Sequence, residues 1–341
     1  MRCDGLFIAG VAHRLPPMTD VAEALADGRY DPGEQAFNEY AGVTVAESEA
    51  PAEMAAHAAR RALERSGVPA DDVSLLLHAS AWFQGLDYWP AASYVHREVL
   101  RGSRHAPALD VQQMCNGALG AVELAASHLM AVPTRAAALV TAADRFGGPA
   151  FDRWRGDVRG IVYGDGAAAA VLARRGFARL ASVATVVDTE LEGMYRGDVP
   201  FSREPGRPVD VRARRRQFAA AGGLGVATRT TEGLTEAVGL ALDEAGVKIG
   251  DIARSVFPNV GRQVLRTRYA APLGLDPDRT TWEFGRRTGH VGAADQFTGL
   301  AHLAETGALT PGDHVLLVGI GAGFSWTCAV LEITFRPAWA R

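Results

Sequence analysis

With 341 residues, 48% of them hydrophobic and 22% charged, the chain holds enough apolar material for one large domain or two halves. A net charge of -4 excludes the basic balance of a nucleic-acid or membrane-surface binder, and no apolar stretch reaches the length of a membrane span. Three cysteines, Cys3, Cys115 and Cys328, are too few and too unevenly spaced for a disulfide framework or a zinc site.

Met1-Arg2-Cys3-Asp4 runs straight into an apolar stretch with no signal-peptide pattern, so a cytoplasmic protein is expected. Residues 6 to 12 predict a first strand, ended by Pro16-Pro17. From Ala52 to Ser66, Met54, Ala58, Ala62 and Leu63 recur at helical spacing, with Gly67 as the stop; Asp71-Asp72-Val73 then leads into a strand over Ser74 to Ala79. This helix-turn-strand unit recurs downstream. Ala62-Leu63-Glu64-Arg65-Ser66-Gly67-Val68 matches Ala241-Leu242-Asp243-Glu244-Ala245-Gly246-Val247, and Asp72-Val73 matches Asp251-Ile252 at the same offset.

Between these copies, Asp110-Val111-Gln112-Gln113-Met114-Cys115-Asn116-Gly117 reads as a strand end breaking into a helix, Ala118 to Met130. Unsatisfied N–H groups at a helix start point at the sulfur, and the macrodipole favours its anion, so the stretch makes a nucleophile. The helix has its own echo, since Leu124-Ala125-Ala126-Ser127-His128-Leu129 resembles Thr298-Gly299-Leu300-Ala301-His302-Leu303. Strands are expected at Ala136 to Thr141, Ala167 to Leu172, Asp313 to Val318 and Thr327 to Ile333. Two α/β halves, residues 1–175 and 176–341, follow from the repeat, and a pseudo-twofold would bring Gly289-His290 to Cys115. Residues 188 to 225 lose periodicity and read as a connecting segment carrying Pro200, Pro205, Pro208, Arg212-Ala213-Arg214-Arg215-Arg216 and Gly222-Gly223-Leu224-Gly225. Arg212, Arg214, Arg215 and Arg216 form either a docking patch for the phosphates of a phosphopantetheine carrier or coenzyme A, or a solvated helix face.

Asp110-Val111-x-x-x-Cys115-x-Gly117, Tyr163-Gly164-Asp165-Gly166-Ala167-Ala168 and Gly319-Ile320-Gly321-Ala322-Gly323-Phe324-Ser325-Trp326, in that order, closely resemble β-ketoacyl-ACP synthase III enzymes of the thiolase superfamily. The resemblance implies a five-layered α-β-α-β-α thiolase fold, a homodimer, and a cysteine acylated by a thioester of acyl carrier protein or coenzyme A, with no cofactor or metal. It also implies an oxyanion hole from the N–H groups of Cys115 and Gly323, with Phe324 beside the substrate; a tetrahedral adduct needs two fixed donors. Trp89, in Asp87-Tyr88-Trp89-Pro90, stands where such enzymes reach across the dimer to close the partner's acyl pocket, which implies a short acyl donor. At Tyr40-Ala41-Gly42-Val43 the arginine that stacks on adenine is lacking, which favours the carrier protein as donor. Asp165 is expected to be architectural.

The sequence departs from the condensing members at two places. Those enzymes place a histidine after a proline in the second half and an asparagine after a later glycine, and the pair drives decarboxylation. Here Asn259 follows Pro258, and His290 follows Gly289, with Asp295 five residues on. Cys115, His290 and Asp295 fit a nucleophile, a base and an orienting carboxylate, although an aspartate at that place also fits a helix cap. Asn259 is expected to bind the acyl carbonyl or the acceptor. The pattern resembles a subfamily in antibiotic biosynthesis that moves short acyl groups, intact, onto an alcohol or amine, often a sugar or polyketide hydroxyl. A decarboxylating synthase and a non-catalytic partner like a chain-length factor are the alternatives.

Overall fold

The computed structural model describes residues 1–203, 208–222 and 225–340; Pro205, Gly223 and Leu224 of the connecting segment lie outside them. In chain order the strands are β1 (Phe7–Arg14), β2 (Met18–Asp20), β3 (Gly42–Thr44), β4 (Val73–Ala79), β5 (Ala108–Val111), β6 (Ala137–Asp144), β7 (Gly166–Ala173), β8 (Ala178–Val187), β9 (Ile252–Val256), β10 (His314–Gly321) and β11 (Ser325–Ile333). β2 pairs with β3 alone, and the other nine run in the order β5-β4-β6-β7-β1-β8-β11-β10-β9. β1 and β8 meet over two residue pairs, Phe7 with Arg179 and Ile8 with Ala178, so the sheet divides there into two halves. Read outward from this junction, β1-β7-β6-β4 and β8-β11-β10-β9 repeat each other, and β5 extends the first half by one further strand.

The repeat has a local cause. The helix Pro51–Ser66 begins with proline, a residue suited to the first turn because it lacks the N–H that would go unpaired there. It ends at Gly67, in the left-handed conformation, whose N–H is donated to the carbonyls of Leu63 and Glu64. The helix Val226–Ala245 ends in the same way at Gly246, on Asp243 and Leu242. Each is followed by a short turn, Ala70–Asp72 or Ile249–Asp251, that feeds β4 or β9.

Strands buried on both faces supply side chains to two cores at once. Ala138, Val140, Ala168, Ala170, Val315, Leu317, Ala329 and Leu331 face a central layer made by the helices Gly117–Ala131 and Asp295–Glu305. Alternate residues of β6 and β7, such as Leu139 and Val171, face the helices Pro51–Ser66 and Ala91–Val99. Leu316, Val318, Trp326 and Val330 face the helix Val226–Ala245. These are the five layers that the resemblance implies, and both central helices begin at the same end, where the site forms.

The connecting segment differs from the expectation of an aperiodic link. It contains the helices Gly193–Arg196 and Val211–Ala220. The second buries only Val211, and Asp210 caps it by accepting the N–H of Ala213 at 2.8 Å. Phe218, partly buried against the core, is its other apolar anchor, and two such residues seven apart leave no stripe to recognise. Among the described residues, no helix is long and apolar enough to cross a membrane.

Candidate active site

Cys115 sits in the turn Met114–Asn116, between β5 and the helix Gly117–Ala131. Met114 takes a left-handed φ of 49°, which costs a non-glycine residue about 1 kcal/mol and therefore needs support. Asn116 supplies it: this buried amide donates to Gln113 Oε1 at 2.9 Å, Ser325 Oγ at 3.1 Å and Thr327 Oγ1 at 2.7 Å, which ties the turn to β11. β10 presses on the same turn through Gly321, where a Cβ would stand 2.3 Å from the Gln113 carbonyl oxygen. The glycine-rich stretch near the C-terminus is thus a β-hairpin whose flank holds the cysteine turn in place.

His290 is held from the other side by its main chain. Its N–H is donated to Val162 O at 2.8 Å, and its carbonyl accepts from Gly164 N at 3.0 Å, so the Tyr-Gly-Asp-Gly motif serves as its rail. Nε2 lies 3.0 Å from Cys115 Sγ, and Nδ1 is hydrogen-bonded to Asp295 Oδ2. Asp295 is fully buried and also accepts the Val291 N–H at 2.9 Å, the Asn259 N–H at 2.8 Å and Asn259 Nδ2 at 3.0 Å. Burial acts to lower the proton affinity of His290, but Asp295 and then Cys115 outweigh it and hold the imidazolium well above the usual histidine range. The three residues form a hydrogen-bonded chain of thiol, imidazole and carboxylate.

Asn259 differs from the expectation of a substrate ligand. Its amide donates to Asp295 Oδ1 and to Gly289 O at 3.0 Å, so it stands behind the carboxylate. Its neighbours Pro258 and Val260 line the cavity instead. That cavity, about 440 Å³, reaches Cys115 and His290 and has Tyr163, Tyr195, Tyr269 and Phe324 among its walls. Gly323 lies in the hairpin turn between the cavity-lining residues Ala322 and Phe324. Trp89 is half-buried, with its ring 5.7 Å from that of Tyr94, and does not reach this chain's own cavity.

The arginine run divides. Arg212 pairs with Glu34 at 2.6 and 2.9 Å, Arg214 donates to the Tyr195 carbonyl at 2.8 Å, and Arg216 is exposed. Arg215 faces the cavity, where Arg159 and Arg268 join it. These last two had no motif or periodicity to mark them. Tyr163 also gained a partner that spacing could not show, because its hydroxyl donates to the buried Asp157 at 2.6 Å. Among the described residues no group of three or more His, Cys, Asp or Glu is arranged to hold a metal ion.

Asp165 is fully buried and paired with Arg153 at 3.1 and 3.0 Å, and it accepts the N–H groups of Ala46 and Phe146. Breaking a buried pair from one side leaves a charge unmatched, so Arg153→Ala should lower stability by about 3 kcal/mol in chemical denaturation. A loss below about 0.5 kcal/mol would show that the pair contributes little beyond the two N–H bonds.

Residues 109–190 match the family model 3-oxoacyl-[acyl-carrier-protein] synthase III, and residues 242–333 match its C-terminal model. The solved structure of ChlB3, described as an acyltransferase, is 39% identical, with a TM-score of 0.93 over 98% of this chain and 99% of that chain. The β-ketoacyl-[acyl-carrier-protein] synthase III of Sphingopyxis alaskensis is 29% identical over 93% of this chain and 96% of its own. An OleA variant from Xanthomonas campestris, 22% identical, shares the fold with a TM-score of 0.77 over 97% of this chain and 98% of that chain.

Proposed function

This chain belongs to the 3-oxoacyl-[acyl-carrier-protein] synthase III family, whose members transfer acyl groups, and we propose that it is a non-decarboxylating acyltransferase. It moves a short acyl group, such as malonyl or acetyl, from a carrier-protein or coenzyme A thioester to Cys115 and then to a hydroxyl or amine of a small molecule. One observation carries this reading. The imidazole that meets Cys115 is oriented by Asp295, while Asn259, at the position of the condensing members' histidine, has its amide engaged on Asp295 and Gly289.

The steps follow from the geometry. Cys115 Sγ gives its proton to His290 Nε2 and attacks the thioester carbonyl, and the oxyanion forms toward the N–H groups of Cys115 and Gly323. Collapse breaks the carrier's C–S bond, and the departing thiolate takes the proton from His290. The acceptor hydroxyl then gives its proton to His290 Nε2 as its oxygen bonds to the acyl carbon, and Cys115 leaves. No carbanion forms, so no carboxylate need be lost. Arg159, Arg215 and Arg268 at the cavity suit the phosphate of a pantetheine arm. The likeness to ChlB3 supports an acyltransferase; a sugar or polyketide hydroxyl as the acceptor class is carried over from the subfamily that the sequence resembles. β5 is an edge strand with Leu109 54% exposed, and Phe83, Leu86 and Tyr88 are also exposed; covering them with a second copy would make the homodimer.

Incubation with malonyl thioester separates this from the condensing reaction that the relatives' name describes. A malonyl adduct without carbon dioxide supports acyl transfer; carbon dioxide with a ketone product sinks it, and no adduct points to a non-catalytic partner. Within the proposal, Asp295→Asn should slow transfer by about 10²–10³-fold, because an amide can fix the wrong tautomer of His290. Single-turnover kinetics at the wild-type rate would leave Asp295 as a helix cap.

A further inference from the structure

A second carboxylate beside the site takes no part in the steps above. Asp144 ends β6 and is fully buried. Its oxygens accept the N–H groups of Ala81 at 2.9 and 3.1 Å, Trp82 at 2.8 Å and Ala293 at 3.1 Å. Ala81 and Trp82 lie in the loop after β4, whereas Ala293 lies in Gly292–Ala294, the turn that separates His290 from Asp295. Gly292, at a φ of 60°, is what admits the carboxylate, since a Cβ there would stand 2.1 Å from Asp144 Oδ2. Burial raises the Asp144 carboxyl to about 7, against the pull of the three N–H groups and of His290.

We propose that Asp144 is a positioning residue for acyl transfer: by clamping the Gly292–Ala294 turn to the loop after β4, it sets the placement of His290 relative to Asp295 and Cys115. The inference rests on His290 acting on Cys115 as described above. The same loop also reaches His290 by packing, because the Trp82 ring lies 5.3 Å from Phe151, Phe151 lies 4.9 Å from Tyr163, and Tyr163 lies 5.1 Å from His290. The groups that set the charge of His290 are Asp295 on the following helix and Cys115 on the facing turn, and His290 in turn draws the Asp144 carboxyl down against its burial. Asp144→Asn both removes a charge and turns an NH₂ toward backbone N–H groups that need an acceptor.

Alkylation by iodoacetamide reads the cysteine–imidazole pair without a substrate, and it reports Cys115 because Cys3 and Cys328 are fully buried. Asp144→Asn should slow alkylation at neutral pH by about ten-fold and change its pH profile, as His290→Ala does, since a misplacement of about 1 Å is enough for such losses. A profile within two-fold of wild type, where His290→Ala slows the reaction, overturns the positioning role alone. No effect of His290→Ala would instead overturn the pairing on which it rests. If Asp144→Asn does not fold, amide exchange in the wild-type protein decides: Ala81, Trp82 and Ala293 should be protected together, and free exchange at Ala293 would remove the clamp.

Discussion

Cys115→Ala is expected to abolish the acyl-enzyme and to lower acyl transfer by about 10⁴-fold or more. The thiol lines the cavity, is half-exposed and lies 3.0 Å from the His290 imidazole. The other two thiols offer no substitute. Both are buried, and burial pushes Cys3 up to about 11 and Cys328 higher still. Loss of the sulfur removes one hydrogen bond but none of the supports of the turn, which run through Asn116 and Gly321. Folding should survive, so the variant reports chemistry. Intact mass after incubation with an acyl thioester is the measurement, and an adduct that persists in Cys115→Ala would place the nucleophile elsewhere.

Much of this site was legible because its parts obey local rules. A left-handed glycine after each repeated helix marks two copies of one unit, and the repeat places His290 opposite Cys115 before any coordinate is known. Asp295 was legible only as a choice between orienting carboxylate and helix cap. Its four hydrogen-bond donors come from His290, Val291 and Asn259, and no spacing announces Asn259. Sequence places Asn259 beside Pro258 but says nothing of where its amide turns. Asp144 is less visible still, a single charged residue at the end of the largely apolar run Ala137–Ala143, meaningful only once β6 brings it beside segments 63 and 149 residues away. The helix Val211–Ala220 was hidden by its own composition, since it fully buries one valine and carries four arginines that turn to separate surroundings. The role that the resemblance implies for Trp89 lies on another copy of the chain, and within one copy its ring meets that of Tyr94.

His290→Ala should separate the two half-reactions: some acylation of Cys115 persists, while transfer to the acceptor falls by about 10³–10⁴-fold. The difference follows from the proton each step needs. A thioester donor leaves as a thiolate and can do without an acid, whereas a neutral hydroxyl cannot attack until a base takes its proton. The pH dependence carries a further sign. In the free enzyme burial works against the imidazolium, but Asp295 and Cys115 keep it protonated well above the usual histidine range. Acylation turns the Cys115 sulfur into an uncharged thioester and so withdraws one of the two supports. Removal of a nearby anion destabilises a cation, so the proton affinity of His290 falls once the acyl group is in place. Under the proposed mechanism the imidazole would thereby be made into a base by the step that precedes its use. Single-turnover transfer should rise with pH along a limb that lies below the pH at which the free enzyme loses its imidazolium, and this limb should be missing from whatever activity His290→Ala retains. Transfer that is independent of pH across that range, or a limb displaced upward, would contradict the assignment of His290 as the base.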